Sequence, residues 1–282
     1  MSKIKVALAQ IDVEIGQPEA NRRRIVERIL ETAGAQLVIF PECAVTGYCF
    51  DSLEEAAQFA EPLDGPSAEV IAEVCSKTGA HAIVGFIEGE GSAFYNAAMM
   101  VGPQGAIASY RKVHLPFIGF DRFATRGNRG FEVIPLPFGK VGVNICYDSS
   151  FPEATRALKL MGAELIALPT NWPHGARRNP DFVINTRALE NHINFVAVNR
   201  VGEERGWPFI GRSIAVDFNG DTLIEASGEN EETLICELDL QAANNNRIVN
   251  VAGSYEIDRL ADRRPEFYGE IVRASAHSKA GD

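Results

Sequence analysis

Gly142-Val143-Asn144-Ile145-Cys146-Tyr147-Asp148-Ser149-Ser150-Phe151-Pro152-Glu153 is the stretch from which the rest of the chain can be read. The apolar run over 141–145 has the composition of a strand buried on both faces, and Pro152 followed by Glu153 suits the first turn of a helix. Cys146 is then expected at a strand end, over residues 141–146, where a thiol above the carboxyl edge of a sheet can meet free backbone N–H groups. A buried structural thiol is the other reading of a single cysteine, since free Cys is among the most buried residue types. Outward from this stretch, residues 152–161 read as a helix, Gly162 as its cap and 165–168 as the next strand. The same grammar occurs earlier: Ala33-Gly34-Ala35-Gln36-Leu37-Val38-Ile39-Phe40-Pro41 parallels Met161-Gly162-Ala163-Glu164-Leu165-Ile166-Ala167-Leu168-Pro169. Two related strand-helix-strand halves are predicted, with Glu42 and Thr170-Asn171-Trp172 at equivalent strand ends facing one crevice.

The remaining segments fit an alternation of strands and helices. Residues 4–9 read as the first strand and 19–32 as a helix; 65–77 is a further helix, and 81–87, 97–101 and 107–112 are strands. Residues 181–191 read as helical, 195–198 as a strand, 213–216 and 222–225 as a hairpin across Asn219-Gly220, and 233–238 as a last strand. No linker divides the chain, so a single domain over 1–282 is expected, with the tail from about residue 253 at subunit contacts and the small polar end at 278–282 frayed.

Composition excludes several classes. The 282 residues are 46% apolar without an uncharged stretch long enough to cross a bilayer, and the net charge of −11 argues against nucleic-acid binding. Five cysteines, at 43, 49, 75, 146 and 236, are odd in number and lack paired zinc spacing, and the start has no signal-peptide core. A cytoplasmic chain without metal is expected; His114 and His174 read as hydrogen-bonding residues.

Two further polar residues give Cys146 chemical company. Phe40-Pro41-Glu42 places a carboxylate at one strand end, and Tyr110-Arg111-Lys112-Val113-His114 places an ammonium at another. A cysteine that attacks an amide needs a base for its proton, a cation for the developing oxyanion and an acid for the leaving nitrogen. Glu42, Lys112 and Cys146 can fill those roles, the lysine also favouring the thiolate. Cys43, next to Glu42, is expected to face away by strand alternation.

With these three blocks in order, the chain resembles the carbon–nitrogen hydrolase (nitrilase) superfamily. Further similarity lies in Pro169-Thr170-Asn171-Trp172, Arg187-Ala188-Leu189-Glu190-Asn191, Asn199-Arg200-Val201-Gly202 and Gly211-Arg212-Ser213. The resemblance implies an αββα sandwich of two mixed sheets, a catalytic Glu42, Lys112 and Cys146 without cofactor, and dimers that pair sandwiches face to face. It also implies that Tyr147, through its backbone N–H, shares the oxyanion with Lys112. Nitrilases proper of this superfamily follow the nucleophile with Trp-Glu, whereas Tyr147-Asp148 and Phe151-Pro152-Glu153 are similar to the amidase and carbamoylase branches. The implied function is hydrolysis of a small amide to carboxylate and ammonia; an N-carbamoyl amide hydrolase, a nitrilase or a non-catalytic binding module are the alternatives. Where many amidases of the family carry a second glutamate, this chain has Asp121, which either positions the site or pairs with Arg122. Tyr48, Asn171 and Trp172 are expected to line the pocket, with a core position as the other reading of Trp172. For the dimer, the helix from Pro152 and the one at 181–191 are the expected contact, through Phe151, Leu158, Leu160 and Met161.

Overall fold

The computed structural model describes residues 3–273. The first half runs β1 (Ile4–Gln10), α1 (Pro18–Glu31), β2 (Leu37–Ile39), α2 (Leu53–Ala57), α3 (Pro66–Thr78), β3 (His81–Glu90), β4 (Ala93–Gly102) and β5 (Gly105–Arg111). The second runs β6 (Val133–Leu136), β7 (Gly139–Val143), α4 (Pro152–Leu160), β8 (Leu165–Pro169), α5 (Ile184–Asn191), β9 (Asn194–Val198), β10 (Glu203–Glu204), β11 (Trp207–Pro208), β12 (Ile214–Val216), β13 (Thr222–Glu225) and β14 (Glu232–Leu238).

Two six-stranded sheets result, ordered β14-β1-β2-β3-β4-β5 and β13-β12-β9-β8-β7-β6. The expected relation between the halves is plain in the pairing. β1, β2 and β3 are mutually parallel and continue into antiparallel β4 and β5, just as β7, β8 and β9 are parallel and continue into antiparallel β12 and β13. Strand periodicity builds the layers. Val6 and Leu8 of β1 meet Val141, Val143, Leu165 and Val196 of the other sheet, while Ala7 and Ala9 turn to Ile25, Ile29, Ile71 and Val74 of α1 and α3. On the far side Ile166, Leu168 and Phe195 pack with Leu158 of α4 and Ile184 and Ala188 of α5. The central strands β2, β8 and β9 are buried along their whole length, which accounts for their unbroken apolar runs. The order helix, sheet, sheet, helix is the expected αββα sandwich.

Several expectations are corrected. The strand before Cys146 ends at Val143, not at the cysteine, because the chain then turns into a 3-10 segment, Cys146–Ser150. The helix expected from 181 starts as a π-turn at Asn179–Val183 and becomes α-helical only at Ile184. Leu158, expected at a subunit contact, is fully buried in the core; Leu160 and, just past the helix, Met161 are the large apolar residues there that stay exposed. From Asn245 the chain forms a second small unit holding an unforeseen hairpin, β15 (Arg247–Val251) with β16 (Tyr255–Asp258). The end at 278–282, expected to fray, lies outside the described residues.

Candidate active site

Equivalent strand ends of the two sheets do meet. After β2 the chain crosses β3 closely: Gly85 donates its N–H to Pro41 O at 3.2 Å, Val45 donates to Gly85 O at 3.1 Å, and Glu42 donates to Thr170 O, beyond β8, at 3.4 Å. A methyl on Gly85 would stand 2.3 Å from Cys43 N and 2.6 Å from Glu42 Cα, so only glycine lets Glu42 sit there. Cys43 follows with φ 47°, a left-handed backbone. That conformation breaks strand alternation, and the Cys43 thiol lies beside the site instead of facing away: it donates to Asn96 Oδ1 at 3.7 Å.

Lys112 follows β5 directly and donates its backbone N–H to Asn96 O at 2.8 Å. Its ammonium is completely buried between two carboxylates, 2.6 Å from Glu42 Oε1 and 2.6 Å from Asp121 Oδ2. The amide Nδ2 of Asn96 bridges the same pair, 2.7 Å from Glu42 Oε1 and 2.7 Å from Asp121 Oδ1. Tyr48 donates its hydroxyl to Asp121 Oδ2 at 2.8 Å. Asp121 is therefore fixed by three donors within the site, while Arg122 turns away to the carbonyls of Gly119 and Phe50. The ion-pair alternative for Asp121 and Arg122 falls. Glu42 Oε2, by contrast, is buried with no hydrogen-bond partner among the described residues.

Cys146 also has a left-handed backbone, φ 43°. Asp148 holds that turn: Oδ2 accepts from Ile145 N at 2.9 Å and Tyr110 OH at 2.8 Å, and Oδ1 accepts from His114 N at 3.1 Å with His114 Nδ1 at 2.7 Å. His114 stacks on Phe151 with ring centroids 3.7 Å apart, so it serves as the hydrogen-bonding residue expected of it. Tyr147 N–H, in the first turn of the 3-10 segment, has no intrahelical acceptor, and its ring is partly exposed against Phe151.

The electrostatics bear out the pull of Lys112 on the thiol but show it outweighed. Burial, and next the charge of Glu42, push the Cys146 thiol up to about 12, although Lys112, the Thr170 hydroxyl and the Asn171 N–H pull it down. The resting sulfur is a thiol, so the lysine alone does not make it a thiolate. Burial raises Glu42 as well, against the opposing pull of Lys112. For Lys112 burial acts downward, but Asp121 and Glu42 outweigh it and hold the ammonium charged well beyond the ordinary lysine range.

Of the expected pocket residues, Tyr48 and Asp121 join the cluster, and Asn171 lies buried beside Cys146 with both side-chain polar atoms unpartnered among the described residues. Trp172 puts its side chain into the core cluster with Leu168 and Ile184. Thr170, expected with Asn171 at the strand end facing the crevice, brings its hydroxyl to Cys146. Asn96 is the residue the sequence does not reveal: it falls one residue before the strand read at 97–101 and carries no local signal. A cleft of about 280 Å³ lies between the loops at Cys49, Asp51, Phe117 and Arg122 and the hairpin tip at Arg205 and Trp207. No cluster that could hold a metal ion occurs among the described residues, and no helix there is long and apolar enough to cross a membrane.

The carbon-nitrogen hydrolase family model matches residues 5–247. A protein of Pyrococcus abyssi named nitrilase is 40% identical, covering 94% of this chain and 99% of its own. An (R)-stereoselective amidase of a Pseudomonas species is 34% identical over 95% of this chain and 94% of its own. The fold is that of a solved amidase from a Nesterenkonia species, at TM-score 0.80 and 24% identity, covering 96% of this chain and 97% of that one. The chain belongs to the carbon–nitrogen hydrolase family, an enzyme family of the nitrilase superfamily.

Proposed function

We propose that this enzyme hydrolyses a small carboxylic amide through a thioester on Cys146. The observation that carries the reading is Glu42 Oε2, a buried carboxylate oxygen left without a partner in a cluster whose other charged oxygens are engaged, with its charge felt at the sulfur. As substrate binds, Glu42 takes the thiol proton and the sulfur attacks the carbonyl carbon, moving the C=O electron pair onto oxygen. Lys112 has three N–H groups, two of them held by Glu42 and Asp121; the third, with Tyr147 N–H, stabilises the oxyanion. Collapse breaks the C–N bond as Glu42 returns its proton to nitrogen, releasing ammonia. Water, deprotonated by Glu42, then cleaves the thioester, and carboxylate leaves as the thiol reforms. The Asn171 side chain, buried beside Cys146 with its polar atoms unpartnered among the described residues, supplies polar contacts to the substrate amide.

Ammonia release from a panel of aliphatic amides, ω-amides, N-carbamoyl amino acids and nitriles tests the substrate class; nitriles are included because of the Pyrococcus relative's name. Cys146→Ala is expected to abolish turnover with an unchanged melting temperature. Glu42→Gln should lose about 10²–10⁴-fold, the range for a positioned acid-base group, and Lys112→Met about 10²–10³-fold, the range for an oxyanion donor. Near-wild-type turnover in all three would remove the triad assignment, whereas no turnover of any panel member by the wild-type chain would favour a binding module.

The enzyme is further proposed to act as at least a dimer in a reducing compartment such as the cytoplasm. Exposed Leu160, Met161, Phe182 and Leu189 on and beside α4 and α5 support the first part, and five free cysteines the second.

A further inference from the structure

Two fully buried carboxylates, Glu42 and Asp121, share one ammonium, so with Glu42 in its basic form the cluster has one more negative charge than positive. Placed this close, two carboxylates would ordinarily take up a proton between them, and a protonated base is useless. Asn96 stands between them. Its Nδ2 supplies one N–H to each carboxylate, and being neutral it relieves the repulsion without cancelling the charge that makes Glu42 a base. A lysine there would cancel it; an aspartate would add a third acid.

We infer that Asn96 is a positioning residue that holds Glu42 in its basic form and leaves Oε2 as the reactive oxygen, and that the Cys43 thiol fixes Asn96 in the required orientation. This rests on reading Glu42 as the base. The amide can serve both carboxylates only with its NH₂ toward them, which turns Oδ1 toward Cys43. Burial, and then the charges of Glu42 and Asp121, keep that thiol protonated, so it remains a donor. The same residue also places the cation, since its carbonyl accepts the Lys112 N–H. The titratable groups around Glu42 are Lys112 and Asp121, with the Cys43 and Cys146 thiols and the Tyr48 phenol beyond them.

The test is the pH dependence of Cys146 alkylation by iodoacetamide, followed by mass spectrometry of the labelled peptide. It needs no knowledge of the substrate. The wild-type rate is expected to show an inflection from Glu42, lost in Glu42→Gln; survival of that inflection would defeat the reading of Glu42 as base and, with it, the inference about Asn96, whereas its loss in Glu42→Gln with no shift in the Asn96 variants would defeat the inference alone. Asn96→Leu, similar in size but without donors, should move the inflection upward by about one unit, a tenfold change in proton affinity. Asn96→Asp, which puts a third acid beside the two carboxylates and leaves Lys112 as the donor they share, should move the inflection upward at least as far. Cys43→Ala keeps Asn96 and should move the inflection in the same direction as Asn96→Leu by a smaller amount, and it stands in if the Asn96 variants fail to fold. A lower melting temperature with a wild-type pH profile in every folded variant would make Asn96 merely structural and overturn the inference.

Discussion

Glu42 and Cys146 are both raised by burial, and the enzyme's pH behaviour follows from the sign of the first. A raised carboxylate holds its proton to higher pH, so the active basic form is present above that raised value and is lost as pH falls through it. The acid limb of kcat/KM on any hydrolysed amide is therefore expected above the ordinary carboxylate range. Lys112, held charged well beyond its usual range, contributes no loss on the alkaline side below that. A limb at the usual glutamate value would show that Glu42 is not the group that titrates. At this scale the sequence was most informative about chemistry and least about direction. Glu42, Lys112 and Cys146 stood out because each follows a buried strand. Asn96 did not, since its meaning depends on a carboxylate 54 residues away in sequence, and Cys43 was misplaced because a left-handed φ cannot be read from its neighbours.

Among the elements, the crossing of the Pro41-Glu42-Cys43 turn over β3 bears most on function. Gly85→Ala puts a methyl into backbone atoms that cannot move as a flexible side chain would. The expected cost is about 1–3 kcal/mol, as for other overpacked sites, read as a lower urea midpoint, together with a loss of turnover larger than the loss of substrate affinity because Glu42 shifts. A wild-type midpoint and kcat would mean that the turn is looser than its contacts. A second brace fixes the loop carrying Tyr48. Glu204 Oε2 accepts the N–H groups of Tyr48 and Cys49, each at 2.9 Å, and Glu204 is in turn paired with buried Arg200, which also reaches Asp12. The strands and most helices were legible from periodicity and glycine caps. This brace was not, because β10 and β11 are only two residues each.

At the scale of the whole molecule, the repeated helix-cap-strand-proline pattern foretells two related halves, and the family resemblance adds that each half builds its own sheet. The hairpin after Asn245 carried no such pattern and was missed. Sedimentation in dilute solution is expected to report at least a dimer, and Leu160→Lys with Met161→Lys to shift it toward monomer; a wild-type monomer at micromolar concentration would overturn the proposed pairing. β1 has a different consequence. It precedes the other strands of its sheet in the chain, and its outer edge is covered by β14, with Ile4 opposite Leu238 and Gln10 opposite Glu232. During translation, that apolar edge must wait for nearly the whole unit to emerge from the ribosome, and the Tyr48 loop must wait for Glu204. An unpaired strand edge invites addition of strands from other chains, so the growing polypeptide, far more than the finished enzyme, is the form that needs chaperone cover.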